Sequence, residues 1–180
     1  MRIPDKTDDE VRLGVAIAVP EPFAATLQSA RASFGDPLAG LIPPHVTLLG
    51  PTVRPLTARA EIDTHLRAVA AVHEPFALQL RGTGTFRPVS PVVFVQVAAG
   101  IAGCEQLEAD VRSGILVEDR EFNYHPHVTV AHELADDALD LAFERLASFD
   151  ATFEVSAFWL FDHGADGKWR PAQEYRLGAG

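Results

Sequence analysis

Cysteine is nearly absent from this 180-residue chain, and the single residue, Cys104, rules out an internal disulfide and any zinc site built on cysteines. It is expected to be a small buried helix residue. No apolar run, the stretch 91–101 included, approaches the roughly 20 residues that a membrane helix needs. The opening Met1-Arg2-Ile3-Pro4-Asp5-Lys6 lacks the apolar stretch of an export signal. The expectation is therefore a cytoplasmic protein that does not attach to membranes. Basic residues are in deficit, 15 Lys and Arg against 25 Asp and Glu, for a net charge of -10. Long nucleic acid is held by clustered cations, so that balance argues against such a grip. A small anion remains possible, because a local group such as Arg81, Arg87, Lys168 and Arg170 can serve one phosphate on an acidic surface.

What is present is a repeated tetrad. Pro44-His45-Val46-Thr47-Leu48 and Pro126-His127-Val128-Thr129-Val130 both read Pro-His-Val-Thr-aliphatic. In a strand, alternate side chains point the same way about 7 Å apart. Each copy therefore sets an imidazole and a hydroxyl on one face, with Val46 and Leu48, or Val128 and Val130, on the other. A core supplies no reason to do this twice.

The intervening pattern repeats as well. Residues 1–10 read as a polar tail, 11–19 as a strand, 22–34 as a helix opened by proline, and 45–49 as the first His-Val-Thr strand, ended by Gly50-Pro51. A helix over 57–73, with Thr57 as N-cap, a strand over 76–81 and a glycine bend at Gly82-Thr83-Gly84-Thr85-Phe86 follow. The second half retraces this order. A strand at 91–97 and a helix at 101–116 lead through the acidic loop Glu118-Asp119-Arg120-Glu121 to the second tetrad. A helix at 136–149 with Leu139, Phe143 and Leu146 inward, a strand at 152–161, a turn at 162–167 and a strand at 173–177 complete it. The two histidines lie 82 residues apart, and nearly the same offset overlays the other elements, Phe153 falling on Phe76. An internal duplication accounts for this. The fold expected is α+β: one domain over residues 1–180, bilobal and pseudo-symmetric. Its β-α-β-α-β halves, about 11–82 and 91–178, carry mainly antiparallel sheets that face a central cleft.

Two opposed imidazoles suit acid and base work, since one can be neutral while the other is protonated near neutral pH. Thr47 and Thr129 add neutral donors for non-bridging oxygens as charge builds on phosphorus. A phosphodiester, above all a cyclic one, is the natural substrate, and neither metal nor cofactor is required.

The paired motifs His45-Val46-Thr47-Leu48 and His127-Val128-Thr129-Val130, their separation, the proline before His127 and the Gly82-x-Gly84-x-Phe86 bend resemble the 2H phosphoesterase superfamily. Within it, the chain is similar to the bacterial 2'-5' RNA ligase and RNA 2',3'-cyclic phosphodiesterase branch, over roughly residues 11–178. The resemblance implies a LigT-like fold, catalysis by His45, Thr47, His127 and Thr129, and metal-independent hydrolysis of a 2',3'-cyclic phosphate to a 2'-phosphomonoester. The partner would be a cyclic nucleotide or an RNA end bearing that group, and the protein a monomer. Some members also form 2'-5' linkages, and a nucleotide-binding module without turnover is a further alternative. Ligase-type relatives often carry arginine shortly after the second motif, where this chain has His132.

Other residues are weighed beside these. Phe86 could offer a face for a base and Arg87 could reach a phosphate, while Tyr124 and His125 adjoin the second motif as further candidate substrate contacts. His125, His127 and His132 suggest metal ligation, but Pro126 disturbs strand alternation and His132 has the wrong parity to share the face of His127. No metal site is expected there. His65 and His73 on a helix and His163 in a turn read as solvated, Trp159 as core, and Trp169 as a residue that could border the cleft.

Overall fold

The computed structural model describes residues 3–119 and 122–178. Met1 and Arg2 of the expected tail and Arg120 and Glu121 of the acidic loop lie outside them.

Among the described residues, eight strands and four α-helices follow one another as β1 (Glu10–Ala18), α1 (Phe23–Ser33), β2 (His45–Pro55), α2 (Arg59–Val72), β3 (Phe76–Thr85), β4 (Val92–Ala99), α3 (Ile101–Val111), β5 (His127–His132), α4 (Asp136–Arg145), β6 (Asp150–Val155), β7 (Ala157–His163) and β8 (Trp169–Arg176). They form two four-stranded sheets of order β2-β1-β7-β8 and β5-β4-β3-β6, with every pairing antiparallel. The α+β, bilobal, pseudo-symmetric architecture expected from the duplication is thus the one observed. One continuous buried cluster draws on both sheets and on all four helices.

The two halves are interlaced. β3, from the first half, pairs with β4 in the second sheet, and β7, from the second half, pairs with β1 in the first. The equivalent of β3 is accordingly β7. Phe153 does not overlay Phe76, because β6 pairs with β3 in one sheet and sets Phe153 opposite Leu78. The strand expected over 152–161 is two strands: Val155 closes the pairing to β3, and Ala157 opens the pairing to β8 in the other sheet.

Two glycine-containing breaks turn out to be irregularities within strands. β2 runs on through Gly50-Pro51 because one extra residue on its side is absorbed between the Val15–Leu49 and Leu13–Thr52 pairs. A bulge on an edge strand tolerates proline's missing donor. β3 likewise runs through Gly82, at φ +67°, where Arg81 and Gly82 together oppose the single Gln96 of β4 between the Leu80–Val97 and Thr83–Val95 pairs. Thr57 does not cap α2. A 3₁₀ turn, Leu56–Ala58, leads straight into that helix and the Arg59 N–H donates to the Leu56 carbonyl. On α4, Leu139 and Leu146 are buried as expected, but Phe143 is exposed and Ala142 takes the inward place. His65 and His73 are half-buried ties between α2 and α3, to the Val111 carbonyl at 3.2 Å and the Asp110 carboxylate at 2.8 Å. Cys104 is fully buried, and burial pushes its thiol up to about 12.

Candidate active site

β2 and β5 each lie at one edge of their sheet and come into contact with one another. Val46, Leu48, Val128 and Val130 are buried in the core while His45, Thr47, His127 and Thr129 stay partly open on the other face. Directly after each threonine the strand bulges. Ala16 pairs with Thr47 and Val15 with Leu49, and Phe94 pairs with Thr129 and Val93 with Ala131. Leu48 and Val130 are the extra residues, and each enters the core together with its successor, Leu49 or Ala131. The duplication therefore extends to a strand irregularity, which turns both strands just beyond their polar pair.

Each histidine is oriented in the same way. His45 Nδ1 lies 2.7 Å from the Pro43 carbonyl, and His127 Nδ1 lies 2.7 Å from the His125 carbonyl. A carbonyl only accepts, so Nδ1 carries the proton in both rings and Nε2 of the neutral form is left as an acceptor. The protein matrix around each ring disfavours the charged form. Burial lowers His45, the Pro43 bond opposes that, and the Arg31 guanidinium adds to it. Burial lowers His127 to about 4, with further repulsion from His125 and from His45 itself. His45 is thus near enough to disfavour protonation of His127. Tyr124 spans the two lobes by donating its hydroxyl to the Thr47 carbonyl at 3.0 Å, and burial raises its phenol.

The surroundings of His127 are aromatic. Phe86 meets its ring edge-on at 5.0 Å between centroids and 88°, Phe94 lies at 5.0 Å and 54°, and His125 stacks at 6.2 Å and 24°. Phe86 also packs on Phe94 at 4.5 Å, so its role here is to wall His127. Arg87 does not reach into the site, being bound to Asp140 at 2.7 Å and Asp136 at 3.5 Å on α4. Arg81 and Arg170 face Asp150 and Asp166.

His132 departs from the parity expected of it. The bulge at Val130 reverses the alternation, so His132 pairs with Val92 and stands on the face of Thr129 and Phe94. Burial lowers its pKa. Even so, among the described residues no group of three or more His, Cys, Asp or Glu is placed to hold a metal ion. Phe94 was hidden in the apolar run of β4, where nothing marks which alternate residues face a cleft. Arg31 was hidden on a helix, yet it is buried behind the site in an ion pair with Asp36 at 2.8 Å. Among the described residues, no helix is long and apolar enough to cross a membrane.

Beside His45 and Thr47 a hollow opens over the first sheet, bounded by Gly14, Ala16, Gly50, Phe161 and Trp169. A second hollow shares Trp169, Ile42 and Pro43 with it and reaches Lys168 and Arg170. Trp159 is half-buried and pairs with Ala16, off the core face that Phe158 and Leu160 occupy.

Known proteins resemble this chain in sequence and in fold. The sequence profile described as the 2'-5' RNA ligase superfamily matches residues 19–167. Candidate phosphoesterases of Bacillus cytotoxicus and Bacillus cereus are each 28% identical over 172 residues, covering 94% of this chain and 99% of theirs. Among solved structures, Escherichia coli LigT complexed with NADP+ superposes with a TM-score of 0.66 at 22% identity, over 94% of this chain and 99% of its own. LigT complexed with 3'-AMP gives 0.64 at 23%, over 93% and 98%. A Thermus thermophilus protein gives 0.63 at 25%, over the same shares of the two chains.

Proposed function

The chain belongs to the 2'-5' RNA ligase superfamily of 2H phosphoesterases, and from that premise we propose that it hydrolyses the 2',3'-cyclic phosphate of a nucleotide or RNA terminus to a 2'-phosphomonoester. The observation that carries the reading is the twinned orientation of His45 and His127, each with Nδ1 bound to the carbonyl two residues before it. The names of the Bacillus relatives support phosphoester chemistry, and the LigT complexes support a nucleotide ligand.

In this mechanism one neutral imidazole takes a proton from water through Nε2 as the water oxygen bonds to phosphorus. The other, as imidazolium, gives its proton to the ribose O3' as the P–O3' bond breaks. Thr47 and Thr129 donate to the non-bridging oxygens. Both rings resist charge in the free protein. An anionic phosphodiester between them favours the protonated form of one, so the acid is created by substrate binding. The cyclic phosphate keeps its leaving oxygen tethered beside the acid.

Incubation with the four nucleoside 2',3'-cyclic monophosphates, followed by phosphorus NMR, tests this. A 2'-phosphate is expected, with His45→Ala and His127→Ala each lowering kcat by orders of magnitude and chelator without effect. Full activity of either variant, or tight nucleotide binding with no turnover, refutes it. The family name favours one second reading, in which an RNA 5'-hydroxyl replaces water and a 2'-5' bond forms. Joined oligonucleotides from cyclic-phosphate and 5'-hydroxyl ends would establish that reading.

A further inference from the structure

The two lobes offer equivalent backbones to the cleft but not equivalent space. Position by position, the cleft face of the first sheet carries Ala16 opposite Thr47, with Gly14 and Gly50 beyond it. The second sheet carries Phe94 opposite Thr129, with Val92 and His132 beyond it. Three small residues thus face three large ones. The next strand inverts the contrast. Gly84 of β3 stands beside Phe94 because a Cβ there would come within 2.5 Å of that ring, whereas Trp159 and Phe161 of β7 stand beside Ala16 and Gly14. In the second sheet the aromatic bulk is pressed against the histidine. In the first it is set back by one strand and more, which leaves the hollow beside His45 and Thr47.

Trp169 borders that hollow and is firmly held. Its backbone N–H donates to the Leu41 carbonyl at 2.9 Å, its ring packs on His163 at 4.9 Å, and His163 Nδ1 lies 2.9 Å from an Arg12 guanidinium nitrogen. The ring edge rests on Gly14, where an added Cβ would lie 3.3 Å from Cζ3 and 3.3 Å from the Leu49 carbonyl oxygen. The lining is predominantly apolar.

We propose that this hollow is the subsite for the heterocyclic base of a nucleoside, with Trp169 as its stacking platform, so that the nucleoside lies over the first sheet and the second sheet is closed to it. The proposal rests on the phosphodiesterase reading above and adds to it where the base sits and which side chain holds it. A planar, weakly hydrated ring gains from an apolar floor and an aromatic platform, and every base has such a face. The hollow adjoins His45 and Thr47, so a base there remains within one ribose of the reacting phosphorus.

The test compares adenosine 2',3'-cyclic monophosphate with glycerol 1,2-cyclic phosphate, a five-membered cyclic diester without a nucleobase. The wild type should prefer the nucleoside. Trp169→Ala should raise KM for the nucleoside substrate by roughly 5- to 150-fold, the range for loss of one base-stacking partner. The constants for the glycerol ester should change far less. Gly14→Val, which fills the hollow from its floor, should act in the same direction. Equal losses on both substrates, or a wild type that turns over the glycerol ester as efficiently as the nucleoside, overturn the proposal while leaving the hydrolase intact. If the wild type turns over neither, the activity reading fails on its own. Titration of Trp159→Phe with adenosine 2'-monophosphate then decides the subsite: saturable quenching of Trp169 fluorescence supports it, and its absence overturns it.

Discussion

Keeping His127 neutral in the folded protein has a cost that appears as acid sensitivity. Burial holds it at about 4 against 6.5 in the unfolded chain, a displacement of about 2.5 pH units. Above pH 6.5 the ring is neutral in both states and the stability is fully present. As pH falls, the unfolded chain takes up the proton first, so stability is lost until the folded form also titrates near 4. The full loss is on the order of 3 kcal/mol at 1.36 kcal/mol per unit, most of it gone by pH 4.5. His45 is lowered for the same principal reason and acts in the same direction. Urea unfolding followed by far-ultraviolet circular dichroism at several values between pH 7 and 4.5 measures the wild-type slope. His127→Gln retains an amide donor for the His125 carbonyl but cannot titrate, so its slope should be shallower by roughly the amount worked out above. Parallel pH dependences of wild type and His127→Gln across that window would refute the reasoning, whatever their absolute stabilities.

The same depressed values shape catalysis. Since kcat/KM reports free-enzyme groups, it should peak below pH 6.5 and fall about tenfold per pH unit above it, while kcat holds to higher pH because bound phosphate favours the imidazolium. A kcat/KM that rises from pH 7 to 8 would contradict this. Tyr124→Phe deletes the hydroxyl that bonds to the Thr47 carbonyl, and urea unfolding should show a loss of about 1 kcal/mol. Unchanged stability would mean that the bond between the lobes contributes nothing. Gly84→Ala forces Phe94 to move, since the new Cβ would stand 2.5 Å from its Cε2. It should cost about 1–3 kcal/mol and, by opening the wall of His127, raise the midpoint of that ring in an NMR titration.

Both halves of the candidate site were legible because a period of two survives in five-residue segments: His and Thr alternate with buried aliphatics in each copy. His132 was misplaced for the same reason. Strict alternation was carried past Thr129, and no side chain announces the bulge at Val130. The break at Ser156 was faintly written. Polar Thr152, Glu154 and Ser156 mark one parity, whereas buried Phe158 and Leu160 adopt it after the crossing. The run of aromatics there masked the change of sheet. Arg87 illustrates another limit, because its acidic partners on α4 lie about fifty positions away in the chain, and only the folded packing brings them together. Phe94 and Ala16 look unremarkable in their strands and acquire meaning only as a pair of equivalent positions.

The exchange of β3 and β7 between sheets also bears on how such a molecule could arise. A chain of one half alone would form two strands of one sheet and send its third into a sheet it cannot build. Two copies trading third strands would complete a three-stranded sheet in each lobe and yield a domain-swapped dimer, its imidazoles identical across a two-fold axis. Such a dimer would meet any substrate with the same surface on both sides. Joining the copies in one chain removes that constraint, so one lobe can retain the small residues that admit a ligand while its twin fills the corresponding space with phenylalanine.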